Sequence, residues 1–93
     1  MTQHLKVEQV SNTWETVRKR TKQKSKSGLM AAYLDHFEVV SIEGTAEQSI
    51  VIIQAAKQVH YTFVKENDRL KDLEWALTME FDRPCQVQIL PPH

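Results

Sequence analysis

Glu66-Asn-Asp-Arg-Leu-Lys-Asp-Leu-Glu-Trp-Ala-Leu-Thr-Met-Glu-Phe-Asp-Arg-Pro-Cys-Gln-Val87 is the stretch that decides the fold. Leu70, Leu73, Leu77 and Phe81 recur at helical spacing, which sets them along one seam of an amphipathic helix. Asn67 or Asp68 is the expected N-cap, because a short side-chain oxygen can accept a first-turn N–H. Asp82-Arg83-Pro84 stops the helix, since proline cannot continue it and disfavours helical geometry in the residue before it. Beyond the stop, Cys85, Val87 and Ile89 alternate with Gln86 and Gln88, the period of a half-buried strand. Helix, stop and strand in one short run define a scaffold and carry no catalytic chemistry.

Working outward, Val7, Val10, Trp14, Val17 and Thr21 stand 3, 4, 3 and 4 apart, which predicts a helix over 7–22 with these residues on its inner face. Lys6 is a poor cap for it. Ser25 and Ser27 offer caps for a short second helix through Leu29, Met30, Tyr33 and Leu34. Phe37 to Glu43 reads as a strand and Gly44-Thr-Ala-Glu-Gln-Ser49 as a turn. Ile50 to Ile53 is a β-branched run, the mark of a strand covered on both faces. The short gap between the two strands makes an antiparallel hairpin. Lys57 to Glu66 is a third helix with Val59, Phe63 and Val64 inward, and Pro91-Pro92-His93 reads as a tail. The expected order is ααββααβ, a three-stranded sheet packed by helices in a two-layer α+β fold. Its topology is that of type II KH-like domains.

Length predicts one domain over residues 1–93, with an ordered core over about 7–90. The longest uncharged apolar run, Ile50 to Ala56, is too short to span a bilayer, so no membrane association is expected. One cysteine supports neither an internal disulfide nor a Cys-based zinc site, and no signal-peptide core follows Met1. These features predict a cytoplasmic protein. No phosphate-cradling glycine motif, nucleophile elbow or metal-ligand His spacing is present, so the expectation is a non-enzyme without cofactor, metal or small-molecule substrate. Asp35-His36 reads as an ordinary surface pair, because adjacent helix residues do not face each other. Cys85 sits on the inward parity of its strand and reads as a structural thiol.

Two features stand out as candidate binding sites. The net charge is zero, but residues 1–30 carry seven Lys/Arg against two acids and residues 31–93 carry five against ten, so the chain is dipolar, +5 against −5. Arg18, Lys19, Arg20, Lys22, Lys24 and Lys26 form the basic run. It suits phosphates or an acidic partner, or serves simply as a solvated helix end favoured by the helix dipole. No aromatics interleave with it, so DNA contact there would be weak, salt-sensitive and non-specific. The Gly-x-x-Gly of a KH nucleic-acid site is also missing: the connection at Lys65-Glu-Asn-Asp68 is acidic. The second feature is Trp75 with Met79, which fall roughly opposite the Leu70–Leu73–Leu77–Phe81 seam, one turn apart. Such a pair is either covered by a neighbouring helix or forms an anchor for a partner.

In order, Val10-x-x-x-Trp14-x-x-Val17-x-x-Arg20, Ala32-Tyr33-Leu34, Val40-Ser-Ile-Glu-Gly44, Ile50 to Ile53, Phe63, Asn67-Asp-Arg69 through Leu77, and Phe81-Asp-Arg-Pro84 with Val87 follow a recognisable sequence pattern. It resembles a domain in the C-terminal, post-ATPase part of the bacterial DNA polymerase III gamma/tau clamp-loader subunit. The similarity spans about residues 7 to 90. Asp82 stands where glycine usually closes the helix, and Trp75 where the family is usually polar. The N-terminal domain of the replication initiator DnaA is a near competitor. The resemblance implies a fragment of a longer clamp-loader chain. Its role would be a non-catalytic protein-interaction domain that tethers the DNA polymerase III alpha subunit, the replicative helicase, or both. A DnaA-like helicase-contacting or self-associating module and a KH-like weak nucleic-acid binder are the alternatives.

Overall fold

The computed structural model describes residues 4–24, 34–45, 47–67 and 69–93. Its elements are α1 (Val7–Asn12), α2 (Trp14–Lys24), a 3-10 turn (Leu34–His36), β1 (Phe37–Gly44), β2 (Ser49–Ala55), α3 (Gln58–Asn67), α4 (Leu70–Phe81) and β3 (Cys85–Leu90). Among the described residues this is a small α+β fold: four helices and one three-stranded mixed sheet in the order β1-β2-β3. The hairpin pair β1–β2 is antiparallel and β2–β3 is parallel, so β2 is central. No described helix is long and apolar enough to cross a membrane.

The helix predicted over 7–22 is present as two helices that share one buried face. Val10, Val17 and Thr21 are fully buried, with Val7 and Trp14 packed beside them. The break falls at Thr13 (φ −102°, ψ 9°), whose hydroxyl donates to the carbonyls of Val10 at 2.9 Å and Gln9 at 3.2 Å. Thr21 and Thr78 make the same back-bond inside continuous helices, so this bond accompanies the break and does not by itself cause it. Lys6 caps α1 only through its backbone N–H, which donates to Gln9 Oε1 at 2.8 Å. The short helix expected from Ser25 or Ser27 lies outside the described residues, except that Leu34 is fully buried in the 3-10 turn.

β1 turns into β2 through Gly44, whose φ of +102° lies in a region glycine adopts without strain. Thr45 N–H donates to Gln48 O at 2.9 Å, and its hydroxyl accepts the N–H groups of Glu47 and Gln48. A register shift between Val39 and Ser41 puts a bulge at Val40 and leaves that side chain exposed. In β2, Val51 and Ile53 face the helices. On the opposite face Ile52 is buried and Ile50 half-buried, so the expectation of cover on both faces holds fully for Ile52 only.

Two expectations are corrected at α3 and α4. Val59 does not point inward; it is 65% exposed, while Val64 is fully buried and Tyr61 and Phe63 pack against the core. At about 100° per residue, Val59 lies about 140° around the helix from Val64, so one short helix cannot bury both. Asn67 does not cap α4: it is the last residue of α3, and Arg69 holds the N-cap position with no side-chain cap bond. Asp68 lies outside the described residues. The helix seam otherwise forms as expected, with Leu73, Ala76 and Leu77 fully buried and Leu70 and Phe81 packed against them. Asp82 ends α4 in the left-handed region (φ 51°, ψ 44°), a conformation that aspartate tolerates.

The strand that follows is tied back to the helix. Gln86 and Gln88 point to solvent and Cys85, Val87 and Ile89 inward. Glu74 Oε2 accepts the N–H of Val87 at 2.8 Å and Thr78 Oγ1 that of Cys85 at 3.1 Å. Those N–H groups do not serve the β2 ladder, so two α4 side chains occupy part of an otherwise open sheet edge. Covered edges resist unwanted strand addition.

Candidate functional site

α4 presents one flank to the sheet and another to α2. Trp75 lies about 200° around the helix from Leu73 and from Leu77, yet its indole still reaches the core and is half-buried. A ring that large bridges the helix flank and the core boundary. Met79, one turn further on, is 52% exposed. Lys71, one turn before Trp75, is exposed as well, so Lys71, Trp75 and Met79 line one outer stripe of α4. The sequence-predicted pair is thus divided. Met79 is accessible, and Trp75 is part scaffold and part surface. Val59 on α3 and Val40 and Leu90 on the edge strands are the other large exposed apolar residues described.

The basic run is not one patch. Arg18 forms ion pairs with Glu15 at 2.6 Å and with Asp35 in the 3-10 turn. Arg20 donates through Nε to Glu80 of α4 at 2.9 Å, beside Met79 in the chain. Lys19 and Lys22 are exposed. The side chain of Lys24 and all of Lys26 lie outside the described residues. Two of the guanidinium groups therefore bind this chain's own carboxylates, which lowers the charge available to a phosphate backbone. In both Arg18 pairs the carboxylate is largely solvated, and such pairs contribute up to about 1 kcal/mol each; the Arg20–Glu80 pair is partly buried.

Several arrangements were not legible in the residue pattern. Asp35 and His36, read as a bland surface pair, face different partners: Asp35 meets Arg18, and the His36 ring stacks on His60 of α3, centroids 3.9 Å apart and 13° from parallel. An open cleft of about 390 Å³ lies beside them, lined among others by Asp35, His36, Glu38, Gln54 and His93. Gln54 Nε2 donates to Pro91 O at 3.2 Å and fastens the C-terminal segment along this cleft. Among the described residues, no three His, Cys, Asp or Glu side chains come together in a way that could hold a metal ion. Cys85 is buried, and burial pushes its thiol above the ordinary range, against a smaller opposing pull from Arg83.

No family model, curated protein or solved structure matches this chain.

Proposed function

We propose that this chain is a non-catalytic protein-interaction domain of KH-like, DnaA N-domain-like architecture. In this reading it belongs to a clamp-loader gamma/tau subunit and tethers the DNA polymerase III alpha subunit or the replicative helicase. The observation that carries the reading is the outer stripe of α4, where exposed Met79 adjoins half-buried Trp75. Aromatic and methionine side chains with a supported base and an accessible edge are the ones that dominate interface energetics. The ββααβ order expected from the residue pattern agrees with the described elements from β1 to β3, and this supports the architecture. Fold likeness alone says little about function. The engagement of Arg18 and Arg20 with Glu15, Asp35 and Glu80 counts against the nucleic-acid alternative.

The test is a titration of the intact chain against the alpha subunit and against the helicase, with Met79→Glu as the probe. Met79 is exposed, so its replacement should leave stability within about 0.5 kcal/mol. At a hot spot it should weaken binding about tenfold or more. Micromolar binding to either partner with that loss supports the tether. Absence of binding to both, or tight salt-sensitive DNA binding with none to protein, rejects it.

A further inference from the structure

We infer that the His36–His60 stack is a proton-sensitive clamp that fastens the first turn of α3 to the start of β1 and releases it when both imidazoles are charged. The two rings join segments that are far apart in sequence and not otherwise covalently constrained. His36 closes the 3-10 turn, and its carbonyl accepts the N–H of Ala56 at 2.8 Å, which locks that turn to the end of β2. His60 sits in the opening turn of α3, its N–H bonded to Lys57 O at 3.1 Å. One turn further on, Val64 is fully buried, whereas Val59 beside His60 is 65% exposed. The second half of α3 is therefore anchored by apolar packing. The first half has the ring stack and the partly buried Tyr61 to hold it, and weakly anchored turns open first.

Stacked neutral imidazoles attract, and two imidazolium rings at 3.9 Å repel. The charges that bear on His60, those of His36 and Lys57, both disfavour its protonation. Lys57, just before α3, is the cation on the His60 side. On the 3-10 turn, Asp35 adjoins His36, but its carboxylate is already paired with Arg18. On β1, the carboxylate of Glu38 lines the cleft with His36, and on the C-terminal segment His93 lines it too. His60 Nδ1 is buried. Burial lowers the His60 pKa first, with His36 and Lys57 lowering it further. Because the folded form resists this proton, the unfolded chain binds more protons below about pH 6.5. The stabilising contribution is thus complete above that pH. It declines as pH falls through the unfolded value and levels off below the folded midpoint of His60.

The experiment is a proton NMR titration of the histidine ring signals of the 93-residue chain, with amide exchange of residues 60 and 61 followed in parallel. In the wild type, His60 should titrate below the ordinary value of about 6.5. His36→Gln keeps a planar group and removes the charge, and should raise the His60 midpoint. The protection factors of residues 60 and 61, whose N–H groups both donate to Lys57 O, should fall about tenfold or more between pH 7.5 and pH 5 once corrected for intrinsic exchange. In His60→Gln that pH dependence should vanish. A wild-type His60 midpoint at or above 6.5 overturns the inference without any variant. So does a midpoint indifferent to His36→Gln, or the same loss of protection in His60→Gln.

Discussion

Glu74→Ala isolates the tie between the last helix and the last strand. Glu74 Oε2 accepts the Val87 N–H at 2.8 Å, and Val87 is only 7% exposed. A hydrogen bond to a charged acceptor contributes about 1.5–3 kcal/mol, and loss of the acceptor leaves a largely buried N–H without it. The truncation should therefore cost about 2–3 kcal/mol. In a domain of this size 1 kcal/mol corresponds to about 4–8 °C, so the melting temperature should fall by about 10–20 °C. Glu74→Gln retains a neutral acceptor and should lose about half as much. Thr78→Val removes the bond to Cys85 N–H at 3.1 Å while keeping the side-chain shape, and should cost about 1 kcal/mol. Both positions serve one strand, so the double variant should deviate from additivity. Urea and thermal unfolding, with exposed Glu47→Ala as control, give the values. If Glu74→Ala melts within about 2 °C of the parent, or the Val87 and Cys85 amides exchange no faster, the account of how β3 is held is wrong.

Three further predictions concern single positions. Gly44→Ala should destabilise by about 1–3 kcal/mol, because a Cβ there would lie 2.5 Å from Gln48 O at a φ of +102°, and denaturant unfolding measures the loss. Asp82→Gly should stabilise by about 0.5–1 kcal/mol in the same assay, since glycine takes the left-handed cap without the Cβ penalty. Trp75→Ala should lower stability by about 2 kcal/mol or more, because the indole packs against the core, whereas Met79→Ala should hardly change it. Equal and negligible effects of the two substitutions would show that Trp75 does not pack as described.

Most of the scaffold was readable because periodicity reports burial directly. Leu73 and Leu77 on α4, Cys85, Val87 and Ile89 on β3, and the shared face of Val10, Val17 and Thr21 fall where their spacing predicts. Asp82 adopts a left-handed cap at the stop before Arg83-Pro84. The misreadings arise where a local choice depends on tertiary geometry. The break at Thr13 interrupts a pattern whose apolar spacing runs on across it. Val59 looks like a core residue until Val64 takes the buried face of α3. Trp75 lies opposite its seam on a helical wheel, but a large ring reaches beyond its own wheel position. The ion pairs of Arg18 and Arg20 and the His36–His60 stack join residues distant in sequence, and no spacing rule relates them. For the candidate site, the residues that could bind were visible, while their division into scaffold and surface was not.

The most direct test of the binding proposal is a map of NMR signal perturbation on the labelled chain as unlabelled alpha subunit or helicase is added at physiological salt. The proposal predicts that the Met79 methyl and Trp75 indole signals shift or broaden first, together with the backbone signals of Lys71 and neighbouring α4 residues. Perturbation centred on Lys19 and Lys22 on addition of DNA, with the α4 stripe silent toward both proteins, would contradict it.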